Sequence, residues 1–179
     1  EITRAHGLTI GPDDALYCVD DFGHCVKKFT TEGKLLHTFG VPGRPSDTGA
    51  TSIHFRTIQH AGPPFNYPTD LAIAPNGEIY ITDGYGNARI HRFTPEGELI
   101  QSWGEPGSGP GQFHIPHAIA IDEDIIYLAD RENSRLQLFS LDGKFIAQWK
   151  DIARPNGVFI DANHNVFVPE LGYRAGMWP

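Results

Sequence analysis

The chain has 179 residues, a net charge of −8 at pH 7, 20 glycines and 14 prolines. The acidic balance argues against a surface that tracks nucleic-acid phosphates, and no apolar run approaches the ~20 residues a membrane-spanning helix needs. The length suits one domain with a good core, and the glycine and proline content suits an all-β protein with many turns.

In chain order, Glu1 to Ala5 is too short for a strand pair, and His6 to Ile10 is the first predicted strand. Gly11 to Asp14 makes its turn, Leu16 to Asp20 returns, Asp21 to His24 is a hairpin tip and Cys25 to Phe29 is a third strand. A fourth closes near Gly40. Cys18 and Cys25 sit on opposite arms of that hairpin, and two readings stay open: a disulfide in an oxidising compartment, or two packed thiols. No Cys-x-x-Cys or metal-finger spacing accompanies them. Val41 to Tyr67 is an insertion rich in Gly, Pro, Ser and Thr, with His54, Arg56 and His60. A loop of this length is often functional, and equally often a solvated excursion over a sheet edge. Neither histidine is at a repeated position, so neither is taken as a ligand.

Pro68 to Gly104 then matches His6 to Gly40 strand for strand. Pro116 to Trp149 matches again, and Pro155 to Gly172 opens a fourth copy. With His6, Asp70, His117 and Asn156 as one equivalent position, the spacings are 64, 47 and 39 residues. A four-stranded unit recurring every ~40 residues is the signature of propeller blades rather than of a sandwich or helical solenoid. The expected fold is an all-β propeller of antiparallel four-stranded blades at about 6–40, 68–104, 116–150 and 155–179, with the insertion at 41–67. The opening and closing segments suggest part of a larger, six-bladed ring.

Comparing copies separates scaffold from site. In a radial meander the first strand of each unit lies innermost, and its start shares a face of the ring with the hairpin after the second strand. His6 and His117 occupy the innermost position in alternate copies, so with a third such histidine they would converge on the axis in the arrangement a divalent metal accepts. The competing reading is that each caps a strand and bonds a neighbouring loop. At the hairpin the aspartates Asp20, Asp83 and Asp130 recur, as does Asn-x-Arg at Asn87–Arg89 and Asn133–Arg135. Turn geometry and interblade ion pairs explain that repetition. Tyr85 and Arg131 do not recur. The Tyr85 unit carries one extra residue, expected as a bulge that aims a side chain into the mouth. A phenol and a guanidinium beside a metal form an acid/base and carboxylate-binding pair; exposed rim residues would look the same.

The ordered set His6-Gly7-Leu8, Pro68-Thr69-Asp70, Thr82-Asp83-Gly84-Tyr85, Pro110-Gly111-Gln112-Phe113, Pro116-His117 and Ala129-Asp130-Arg131-Glu132-Asn133 resembles NHL-repeat β-propellers. Within these it is similar to the peptidyl-α-hydroxyglycine α-amidating lyase family, also called peptidylamidoglycolate lyase. The resemblance implies a six-bladed ring with an axial catalytic zinc held by three histidines, two of them matched by His6 and His117. It implies Tyr85 as the active-site tyrosine, Arg131 as a substrate-binding arginine, and Leu8 as a backbone donor to a structural calcium. The implied reaction splits peptidyl-α-hydroxyglycine into a peptide amide and glyoxylate, in an extracellular or periplasmic setting. The third histidine of the family lies in a later blade and its other active-site arginine in an earlier one. Asn156 falls in a non-ligand blade. Gly86, Tyr127 and Leu138 stand where animal members have cysteines. Two functions are therefore carried forward: a zinc lyase acting on a peptide or small molecule, and a non-enzymatic NHL propeller that binds a protein or peptide through its face.

Overall fold

Short alternating segments punctuated by Gly, Asp and Asn favour tightly turned antiparallel strands over helices. The computed structural model describes residues 1–172. Its first sheet, in spatial order, is β1 (Ala5–Ile10), β2 (Leu16–Asp20), β3 (Cys25–Phe29) and β4 (Leu35–Phe39). The second is β5 (Pro68–Ile73), β6 (Ile79–Asp83), β7 (Arg89–Phe93) and β8 (Leu99–Trp103). A short parallel pair, β9 (Glu105–Pro106) and β10 (Gln112–Phe113), leads to the third sheet. That sheet is β11 (Pro116–Asp122), β12 (Ile125–Asp130), β13 (Arg135–Ser140) and β14 (Phe145–Trp149). β15 (Phe159–Ile160) pairs with β16 (Val166–Phe167) in the fourth unit, whose predicted remainder beyond Gly172 lies outside the described residues.

The first strands β1, β5, β11 and β15 are neighbours in that order, so each sheet stands as a blade with its first strand innermost. Blades pack face to face, and the two-residue period of a strand divides its side chains between two cores. On β6, Ile79 and Ile81 join Tyr17, Val19, Phe39 and Phe93 on one side, while Tyr80 joins Ile90, Phe113, Leu128 and Phe139 on the other. Each such large side chain, fully buried, contributes about 1.5–3 kcal/mol. The insertion is part of this packing rather than an excursion over it. Its Phe65 is fully buried in the first core. Gly40, at φ 82°, lets the chain pass beneath that ring, where a Cβ would lie 2.7 Å from Phe65 Cδ2.

Each recurring aspartate is a buried acceptor that ties the incoming connection to its hairpin. Asp130 accepts the His114 amide at 2.8 Å, Asp83 the Asn66 amide at 2.9 Å and Asp20 the Arg4 amide at 2.9 Å. The predicted interblade ion pair is instead internal to a blade: Arg135 donates to Asp130 at 2.8 Å because the two residues face each other across β12 and β13. Cys18 and Cys25 are buried free thiols, paired across the hairpin with Lys27 and Asp20 and not with each other. Burial pushes the Cys25 thiol up to about 11.

Candidate functional site

The first strand of each complete blade breaks register at its start. The irregularity falls between Ala5 and Leu8 on β1, between Pro68 and Asp70 on β5, and between Pro116 and Ala118 on β11. A bulge of this kind turns one side chain out of the sheet alternation, and His6 and His117 are the residues it turns. The extra residue of the Tyr85 unit does not bulge its ladder: β6 and β7 pair without interruption from Ile79 with Phe93 to Asp83 with Arg89. It lengthens the hairpin loop instead, and that loop carries Tyr85 to the axis.

The four predicted side chains meet. Tyr85 Oη lies 3.2 Å from His6 Nε2 and 3.0 Å from His117 Nε2, and the two imidazole centroids are 5.1 Å apart. Arg131 Nη1 donates to Tyr85 Oη at 3.3 Å, with its guanidinium carbon 5.4 Å from the phenol centroid. Arg131 is held by Glu132, which accepts from Arg131 Nε at 2.9 Å and from Arg154 Nη2 at 2.8 Å. Burial works to raise the Glu132 carboxyl, but Arg154 and Arg131 outweigh it and keep it ionised.

Both histidines are oriented by the neighbouring blade. His6 Nδ1 donates to the Thr69 carbonyl at 2.7 Å, and His117 Nδ1 donates to the Asn156 carbonyl at 2.8 Å. With Nδ1 of each ring on a backbone carbonyl, both Nε2 atoms are directed at the same phenol oxygen. One hydroxyl proton cannot satisfy two lone pairs. Burial, the Arg131 charge and His6 push His117 down to about 3. Two converging imidazole nitrogens, each ring backed by a carbonyl acceptor, are a fitting part of a zinc donor set. Among the described residues, no group of three or more His, Cys, Asp or Glu is placed to hold a metal ion.

Two cavities meet at this cluster. Inward, about 200 Å³ is lined by His6, Thr69, Asp70, His117, Asn156 and Val158. Outward, about 310 Å³ at the mouth is lined by Ile53, Phe55, Tyr85, Arg131, Glu132 and Arg154. Phe55 and Ile53 come from the insertion, whose role at the mouth no repeat comparison reveals because it has no counterpart in other blades. The Asn156 and Thr69 carbonyls were equally hidden, since a backbone acceptor leaves no residue-type signal. Leu8 lies two residues beyond His6 on β1, opposite Cys18, with its side chain 67% exposed. His54 caps the short 3₁₀ turn Phe55–Thr57 by accepting from the Arg56 amide at 3.3 Å and lines the mouth cavity with Tyr85 and Arg131, while His60 is exposed.

Asp70, the axial residue of the second blade, accepts the Ile119 amide at 3.2 Å. Desolvation pushes its carboxyl up to about 6, against ~3.9 in an unfolded chain. A raised carboxylate pKa means that the folded state binds the proton more tightly, so Asp70 supports stability at low pH and this support is lost as pH rises through about 6. In chelator-treated protein, Asp70→Asn should therefore raise the melting temperature more at pH 8 than at pH 5. Equal shifts at both pH values would contradict the assignment.

The chain belongs to the six-bladed β-propeller family: residues 66–162 match the family described as "6-bladed beta-propeller". Within that class it is similar to amidating enzymes. It is 36% identical over 165 residues to peptidylglycine alpha-amidating monooxygenase of Rattus norvegicus, covering 86% of this chain and 16% of that protein. It is 36% identical over 158 residues to peptidyl-alpha-hydroxyglycine alpha-amidating lyase 1 of Drosophila melanogaster, covering 80% of this chain and 27% of that one. NHL repeat-containing protein 3 of Homo sapiens is 34% identical over 140 residues, covering 76% and 37%. The chain thus spans well under half the length of each of these relatives. A solved structure of catalytically inactive virginiamycin B lyase from Staphylococcus aureus with quinupristin superposes with a TM-score of 0.65 at 17% identity, covering 93% of this chain and 48% of that one, and supports the fold alone.

Proposed function

We propose that this chain carries the axial site of a zinc-dependent lyase that cleaves peptidyl-α-hydroxyglycine into a peptide amide and glyoxylate. The observation that carries the proposal is the convergence of His6, His117, Tyr85 and Arg131 on one point. The similarity to named amidating lyases supports the reaction class.

On this reading His6 and His117 supply two metal ligands, and zinc, when bound, acidifies the hydroxyl of the substrate. Arg131 pairs with the substrate carboxylate, a charge-assisted contact that orients the α-carbon. Tyr85 is the base that takes the hydroxyl proton as the carbon–oxygen double bond forms. The electron pair of the breaking C–N bond passes to the amide nitrogen, which receives a proton, so Tyr85 is restored when it returns the one it took. Ile53 and Phe55 offer an apolar wall to the peptide side chain nearest the reacting carbon. In the same reading Leu8 lends its carbonyl to a structural calcium.

The test is made on the complete protein: zinc content by elemental analysis and glyoxylate release from a hydroxyglycine-ended peptide. Stoichiometric zinc and chelator-sensitive glyoxylate release are expected. Similarity to NHL repeat-containing protein 3 favours the second reading, a non-enzymatic binding propeller. A metal-free, inactive protein whose folding is unaffected by His117→Ala would establish that reading instead.

A further inference from the structure

A cavity of about 600 Å³ lies away from the axial cluster, between the end of the insertion and the β9–β10 connection. Its walls include Gln59, His60, Arg89, Glu105, Pro106 and Gln112. Arg89 is the repeat counterpart of Arg135, and the two have opposite fates. Arg135 spends its whole fork inside the protein: Nε on Asp130 at 2.8 Å, Nη1 on the Ser108 carbonyl at 2.8 Å and on Gln148 at 2.9 Å, and Nη2 on the Gly109 and Gln112 carbonyls, both at 2.9 Å.

Arg89 has no such partners, and the reason is visible. The carboxylate that should receive it, Asp83, already accepts the Asn66 amide, Asn87 Nδ2 at 2.8 Å and His91 Nε2 at 3.3 Å. His91 takes the place held by Gln137 in the next blade. The carbonyls of the incoming connection are used as well, since Gly62 and Pro63 accept from Asn87 Nδ2. Among the described residues the Arg89 side chain forms no hydrogen bond or ion pair, and its Nε is buried without a partner. Arg89 lines the cavity with the fork of its guanidinium uncommitted within the described chain.

We propose that this cavity is a binding site for a small carboxylate, received by the Arg89 fork. A planar fork with adjacent free N–H groups matches a carboxylate edge to edge. Glu105, which also lines the cavity and is held by Gln112 Nε2 at 2.9 Å, opposes a bound anion and so limits its affinity. The site is independent of the axial reaction.

The test is isothermal titration of malonate, and separately of inorganic phosphate, into the complete protein carrying Arg131→Gln, so that the mouth arginine contributes nothing. Saturable malonate binding is expected, weakened at least tenfold by Arg89→Gln and strengthened by Glu105→Gln. Should Arg89→Gln lower the melting temperature, Arg89→Lys, which keeps the charge and loses the fork, must still weaken malonate binding. Absence of saturable malonate binding, equal affinity in the Arg89 variants, or preference for phosphate over malonate would overturn the assignment.

Discussion

Tyr85→Phe is expected to slow glyoxylate release by about 10²–10⁴-fold, the range a positioned acid/base group commands, while zinc content stays unchanged. The phenol ring is packed edge-on to both imidazoles, with centroids 5.3 Å from His6 and 5.7 Å from His117, and phenylalanine preserves that packing. Only the oxygen at the meeting point is lost. His117→Ala should differ in kind, abolishing zinc retention along with activity. Steady-state rates and metal content measured on the same preparations distinguish the two. A Tyr85→Phe protein with wild-type turnover would remove the phenol from the mechanism, and one that also lost zinc would make Tyr85 part of the metal site.

The second large effect is on stability. Asp130→Ala is expected to cost about 3–5 kcal/mol, because it strands a buried arginine. The side chains of Asp130 and Arg135 are 0% and 4% exposed, and Asp130 also serves the His114 amide, Asn133 Nδ2 and Gln137 Nε2. Burial pushes the Asp130 carboxyl upward, while Arg135, Asn133 and the His114 amide pull it back. Asp130→Asn retains an acceptor and should cost less. Urea unfolding of the two variants checks the order; equal midpoints for Asp130→Ala and wild type would refute it. Arg131 follows directly in the chain, so a loosened hairpin should also weaken substrate binding.

The blades were legible because four copies of one strand pattern fix both period and register, and strand order placed His6, His117, Tyr85 and Arg131 on one face of the ring while leaving strand capping and rim exposure as equal readings. Other features were not legible, for identifiable reasons. The register breaks that aim the histidines are invisible to an alternation pattern, which reads the same on either side of a bulge. The extra residue near Tyr85 announces a longer path but not whether a ladder or a loop absorbs it. In the insertion, composition suggests a solvated excursion, yet Phe65 plugs a core and Phe55 walls the mouth; a single aromatic in a polar stretch carries both duties without a pattern. The contrast between Arg89 and Arg135 lies in which neighbour has already claimed a shared acceptor. That is a matter of occupancy and not of residue type.

Because His6 and His117 take their orientation from a carbonyl of the following blade, the aim of each ring is referenced to a seam rather than to its own sheet. Any widening of a seam would swing a donor nitrogen away from its target before the strands themselves came apart. In the proposed lyase, activity and zinc retention should accordingly fail ahead of β structure on heating, the second an early reporter of seam slippage.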